Sequence, residues 1–383
     1  MILSARNAVK RFSPGLRGLS STISVSNLEV TKTTSPKPKQ KNEDLAFGRT
    51  FTDHMLEIDW DIENGWHTPK IVPYGDFAIS PASSSLHYAV QCFEGMKAYK
   101  TASGEIRMFR PDCNMERLQN SMTRLALPKF DEEGFLECMK ELIRLDHDWI
   151  PQEEGYSLYI RPTAIGNSPY LGLQAPHHAK LFAILSPVGP YFPEGFKPVT
   201  LLADTENVRA WPGGVGNAKL GGNYGPTVKP GNDANEKGYA QVLWLFGEQH
   251  QVCEIGAMNV FFIIKTKDGK TEVVTPPLSR GDILPGVTRR SILELARNTG
   301  DFVVSERAIT MGEVRDAWKE GRLMEAFGAG TAAIISPING IHYQGDDIVV
   351  PTGDDIGPIS KSFWRMLCDI QYGIVDHPWS VKV

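Results

Sequence analysis

Trp211-Pro-Gly-Gly-Val-Gly-Asn-Ala-Lys219-Leu-Gly-Gly-Asn-Tyr224-Gly225 sets six glycines around one ionisable amine. Glycine lets a backbone approach a ligand closely and adopt positive φ, so this is where the chain can cradle something bulky. The residue after Lys219 is leucine, which excludes the G-x-x-x-x-G-K-[ST] phosphate loop. A lone lysine is ordinarily a solvated charge. On glycines alone the segment is a loop with a candidate site.

Outward from it, the pattern alternates strands and helices. Upstream, Pro187 to Pro198 carries prolines at 187, 190, 193 and 198 and reads as a linker. Before the linker, Phe51–Trp60, Ile71–Ile79, Ile106–Phe109, Ser157–Thr163 and Lys180–Leu185 have strand character, with turn-rich residues at Asn64–Lys70. Asp112–Leu125 and Glu132–Asp146 have helical spacing, the second through Phe135, Leu136, Met139, Leu142 and Ile143. Downstream, Val199–Ala203, Gln241–Phe246, Asn259–Lys265 and Thr271–Thr275 read as strands. The Asp268-Gly269 pair predicts a hairpin between the last two. Thr288–Asn298 predicts a helix closed by Gly300. At 383 residues, the mixture predicts two α/β or α+β domains: residues 42–186, a linker over 187–198, and residues 199–383.

Residues 1–41 differ in composition. They hold Arg6, Lys10, Arg11, Arg17, Lys32, Lys37, Lys39 and Lys41 against the single acid Glu29, with many Ser and Thr. That composition predicts a mitochondrial transit peptide, or else a disordered basic tail. Of 40 Lys and Arg, eight fall here, and of 45 Asp and Glu, one; the remaining 32 and 44 leave a body of about −12, which argues against nucleic-acid binding. No apolar run approaches the roughly 18 residues of a membrane span. Cys92, Cys113, Cys138, Cys253 and Cys368 are widely spread with no C-x-x-C pair, which predicts buried free thiols rather than disulfides or a metal cluster.

Seven separated segments then decide the reading: Phe51-Thr-Asp-His-Met-Leu56, Pro81-Ala-Ser-Ser-Ser-Leu-His-Tyr88, Phe93-Glu-Gly95, Ser157-Leu-Tyr-Ile-Arg-Pro162, Lys219-Leu-Gly-Gly-Asn-Tyr224, Leu284-Pro-Gly-Val-Thr-Arg-Arg290 and Phe327-Gly-Ala-Gly-Thr331. In order and spacing, residues 47–383 resemble the branched-chain aminotransferases, pyridoxal-phosphate enzymes of fold type IV. The resemblance implies a smaller α/β domain and a larger cofactor-binding domain built on a pseudo-barrel of strands with flanking helices. It implies a homodimer that moves the amino group of L-leucine, L-isoleucine or L-valine to 2-oxoglutarate in alternating half-reactions.

By the same resemblance Lys219 forms the internal aldimine with pyridoxal 5'-phosphate and then shuttles the proton. An amine is the side chain that condenses with an aldehyde, and once displaced it is a base beside the Cα–H. Glu254, in Cys253-Glu-Ile-Gly256, matches the acid paired with the pyridine nitrogen, and Tyr224 the tyrosine at the ring oxygen. Arg117 corresponds to a phosphate-binding arginine, assisted by Arg209. Val287 and Thr288 open the expected helix, whose N–H groups and dipole favour a phosphate; Thr331 completes the cofactor set. Phe47, Phe93, Tyr159 and Tyr191 are implied to line the side-chain pocket, and Thr331 and Ala332 to meet the α-carboxylate. Tyr88, Leu171 and Leu173 match positions supplied by a neighbouring subunit. Arg161, with Tyr88 and Tyr159, would receive the γ-carboxylate of glutamate. Two departures stand out. Ala333-Ile-Ile-Ser336 replaces the redox-active C-x-x-C of some members, and Ala257 replaces a threonine common after Glu-x-Gly. Within the fold, the rival readings are a D-amino-acid transaminase and an aminodeoxychorismate lyase. Outside it, the rival is a cofactor-holding protein without turnover.

Overall fold

The protein is described by a computed structural model that covers residues 22–191 and 195–383. The first sheet runs in the order Glu29–Val30, Lys70–Pro73, His54–Asp61, His178–Val188, Ser157–Gly166, Met96–Lys100, Ile106–Phe109 and Ser380–Lys382; Gly65–Trp66 and Gln91–Phe93 pair alongside. Its central strands are long apolar runs because helices Pro111–Arg124 and Glu132–Leu145 cover them, burying Met115, Leu118, Met122, Phe135 and Leu142 against Leu56, Leu158 and Leu181.

The second sheet closes on itself. Gln251–Ile255 pairs with both Gln241–Phe246 and Met258–Lys265, so those three join Val199–Asp204, Ile334–Tyr343 and Leu323–Gly330 in a ring of strands. Period-two alternation explains the unbroken run Val260–Ile264. Val260, Phe262 and Ile264 enter one core with Leu201, Leu243 and Ile255. Phe261 and Ile263 enter another, under helices Val287–Thr299 and Pro358–Gln371. The expected hairpin pairs Lys265 with Thr271, and the expected helix ends at Gly300 with φ 74°.

Several expected boundaries move: the strand expected over Phe51–Trp60 starts at His54, that over Ile71–Ile79 stops at Pro73, and that over Ser157–Thr163 runs on to Gly166. The tail expected over 1–41 is docked from residue 22 onward: Ile23 is 1% exposed, Glu29–Val30 adds a strand, and Thr33 N donates to His54 Nε2 at 2.9 Å. The transit-peptide reading over residues 1–21 lies outside the described residues. Pro187 and Val188, expected in the linker, finish the strand His178–Val188. Ser380–Lys382 leaves the second half of the chain to pair antiparallel with Ile106–Phe109 at the edge of the first sheet. All five cysteines are buried free thiols, as the spacing predicted. No helix among the described residues is long and apolar enough to cross a membrane.

Candidate active site

Lys219 sits where the two halves meet. Its segment is irregular but pinned: Asn223 Nδ2 donates to Val215 O at 2.8 Å and Ala218 O at 2.9 Å. Gly216 is required there, since a Cβ would lie 2.5 Å from Asp282 O, and a Cβ on Gly221 would lie 2.7 Å from Gln91 Nε2. The first half clamps the lysine backbone from both sides, with Lys219 N donating to Ser121 Oγ at 2.9 Å and Phe93 N donating to Lys219 O at 3.1 Å. The side chain is thereby aimed. Its Nζ donates to Tyr224 Oη at 2.9 Å and lies 4.7 Å from the Phe93 ring centroid.

The wall continues through the first-half residues named from sequence. Phe93 and Tyr224 rings are 5.0 Å apart, and Arg161 lies 4.7 Å over Phe93. Arg161 Nη2 donates to Tyr159 Oη at 3.1 Å, and Tyr159 meets Phe47 edge-on at 4.9 Å. Gly95 has to lack a Cβ, because one would collide with the Tyr159 hydroxyl. Thr331 Oγ1 donates to Gly95 O at 3.3 Å, which brings the Gly-Thr turn to the same place.

Glu254 is 2% exposed, not a solvent-facing strand charge. Arg209 Nη1 contacts its Oε2 at 2.8 Å; Leu284 N and Asn259 Nδ2 donate to Oε1 at 3.1 and 2.9 Å. Burial pushes its carboxyl above the ordinary range, and Arg209, the Leu284 N–H and then Lys219 oppose that shift. Arg209, expected to assist at the phosphate, pairs in the structure with this carboxylate, which as a buried acid needs a partner charge. Arg117 forms a fork with Glu94 (Nε–Oε1 2.7 Å, Nη2–Oε2 2.8 Å) and gives Nη1 to Pro285 O at 2.9 Å, which holds it beside the turn leading into Val287–Thr299. Val287, Thr288 and Thr331 line one small cavity with Gly95 and Asn114.

Two further groups of the named residues are brought together. Ala332 and Tyr191 line a cavity of about 230 Å³ with Lys97, Tyr99 and Trp364, and Lys97 Nζ donates to Ala332 O at 2.8 Å. Tyr88, Leu171 and Leu173 form their own exposed group, with Tyr88 Oη donating to Leu171 O at 2.6 Å. Sequence reasoning gave no role to Glu94, Lys97 or Asn259. Glu94 had a signal, an acid between an aromatic and a glycine in a matched segment; Lys97 had none.

With this geometry in place, the comparisons with known proteins fall in line. Residues 91–341 match the family model Amino-transferase class IV, and the chain belongs to that family, whose members are transaminases. It is 51% identical to a branched-chain-amino-acid aminotransferase of Monosiga brevicollis over 94% of this chain and 92% of that one. It is 48% identical to the mitochondrial branched-chain-amino-acid aminotransferase of Rattus norvegicus (97% and 94% covered) and 45% identical to the cytosolic enzyme of Mus musculus (96% of each). Among solved structures it is similar to the branched-chain aminotransferase of Thermoproteus uzoniensis with norvaline, at TM-score 0.70 and 26% identity, covering 86% and 99%. A second, alike in fold, is the branched-chain amino acid aminotransferase of Thermobaculum terrenum in its PLP-form, at TM-score 0.68 and 23% identity, covering 87% and 98%.

Proposed function

We propose that this enzyme exchanges the amino group of L-leucine, L-isoleucine or L-valine with 2-oxoglutarate, using pyridoxal 5'-phosphate held at Lys219. The observation that carries the reading is an amine aimed between two aromatic rings at the junction of the halves, within the field of one buried carboxylate. The residues fit the cofactor. Gly286, at the N-cap of Val287–Thr299, offers no capping side chain, so the first N–H groups of that helix are open to a phosphate. Arg117 stands beside the same turn. Glu254 keeps acceptor capacity for a protonated ring nitrogen, and Tyr224 reaches the lysine amine.

When bound, the cofactor supplies an aldehyde for the amine and a ring that takes up electrons from the substrate carbon. The chain's own residues do the rest. Lys219 carries the group, then moves the proton at Cα from a position fixed by Tyr224. Glu254 keeps a positive charge on the ring nitrogen. Phe47, Phe93, Tyr159 and Tyr191 exclude water around a branched side chain, Thr331 and Ala332 present their turn to the α-carboxylate, and Arg161 takes the γ-carboxylate of glutamate. Tyr88, Leu171 and Leu173, exposed here, complete the pocket of a second copy in a homodimer. The acid-free, basic composition of residues 1–21 supports delivery to the mitochondrial matrix, and the Rattus norvegicus relative carries mitochondrial in its name. Lys219→Ala should abolish exchange between L-leucine and 2-oxoglutarate; normal turnover in that variant would overturn the proposal. Turnover of D- but not L-amino acids would move the assignment to a D-amino-acid transaminase.

A further inference from the structure

The side chain of Asn259 stands between the buried acid and the turn that opens the phosphate-side helix. Across the hairpin of the second sheet, Asn259 is the register partner of Glu254. It is 4% exposed, and both of its amide hydrogens are spent: Nδ2 donates to Glu254 Oε1 and to Leu284 O, each at 2.9 Å. Those two bonds fix which end of the amide faces the carboxylate. The fit is tight on the other side too, since a Cβ on Gly286 would collide with Asn259 Oδ1. Leu284 N donates to the same Glu254 oxygen at 3.1 Å, so Asn259, Leu284 and Glu254 form a closed loop of hydrogen bonds. Arg209 alone serves the other oxygen with a full charge.

We infer that Asn259 is a positioning residue that sets where the proton rests between Glu254 and the cofactor's ring nitrogen. This deepens the proposed function and rests on it. A carboxylate that accepts several hydrogen bonds holds its negative charge better and binds a proton less tightly. Each donor on Glu254 therefore pushes the shared proton toward the ring. Removing the Asn259 donor makes Glu254 the more basic partner and draws the proton onto the acid, which leaves the ring neutral. Because Nδ2 also holds Leu284 O, the same side chain ties the acid to residues 284–286, one turn ahead of the phosphate-side helix.

The test uses the holoenzyme reconstituted with pyridoxal phosphate carrying nitrogen-15 in its ring. In the parent the ring nitrogen should resonate at the protonated position. In Asn259→Leu it should move toward the unprotonated position, with kcat down by about tenfold or more and little change in KM for L-leucine. Asn259→Asp keeps the shape and is the variant to use if the leucine fails to fold; it replaces the donor by an acceptor and should shift the resonance in the same direction. A ring nitrogen equally protonated in parent and both variants overturns the inference. Parent protein that takes up no cofactor at all overturns the functional reading instead, and the two failures are thereby told apart.

Discussion

Lys97 is a cation with almost no water around it. It is 7% exposed, and burial pushes its amine down from the ordinary 10.5 to about 8. Below about pH 8 the amine is charged folded and unfolded, so the folded state bears the whole cost of burying the charge. Between about 8 and 10.5 the folded protein has released the proton while the unfolded chain keeps it, so stability rises with pH across that window. Lys97→Met should be stabilised relative to the parent near neutral pH, and the difference should shrink by about 2 kcal/mol on going to about pH 10. Denaturant midpoints of the two proteins across that range check it; a pH-independent difference refutes it. Lys97 also shows what a sequence hides at this scale. Its bond to Ala332 O spans 235 positions, and nothing about a lysine in a strand announces a carbonyl that far away. Lys219, Tyr224 and Glu254, named together from the segment resemblance, do come together in the structure. The pairing of Arg209 with Glu254 was not legible, because a guanidinium suits a phosphate and a carboxylate equally well.

Among elements, the arm over residues 22–41 is the instructive one. Its basic, Ser- and Thr-rich composition reads as an unfolded leader, yet its polar groups are engaged one by one. Lys37 N donates to Asp53 Oδ1 and Lys37 Nζ to Thr52 O, both at 2.8 Å, while Ile23 is buried beside helix Glu132–Leu145. Composition reports net charge and propensity, whereas docking depends on partners elsewhere in the chain. The strands expected over Phe51–Trp60 and Ile71–Ile79 missed by three residues or more. The expected helices and second-half strands were legible to within a residue or two, since Glu132–Leu145 buries five apolar residues at helical spacing and Thr271–Thr275 follows an Asp-Gly turn. Short pieces such as Gly65–Trp66 and Ser380–Lys382 were not, since two or three residues carry no period. Gly134→Ala tests the arm, because the new methyl would collide with Ile23 O. It should cost about 1–3 kcal/mol despite alanine's better helix propensity. A chain starting at residue 42 should melt several degrees below one starting at residue 22. Equal melting temperatures would mean that the arm adds nothing.

At the scale of the whole molecule, the two sheets meet along Lys219. The residue is held by Ser121 and Phe93 of one half and lies in the field of Glu254 of the other, so the site exists only when both halves are docked. Leu171 and Leu173, 60% and 76% exposed beside Tyr88, are the apolar surface assigned to the second copy in the proposed homodimer. The double change Leu171→Asp with Leu173→Asp should yield monomer by sedimentation and reduce transamination by at least about tenfold; an active monomer would contradict the shared pocket. The central claim is tested most directly by the visible absorbance of the purified protein, recorded before and after L-leucine is added without any oxo acid. The account predicts an absorbance band of the bound cofactor that L-leucine bleaches and 2-oxoglutarate restores. A band indifferent to L-leucine, or no band after pyridoxal phosphate is supplied, would contradict it.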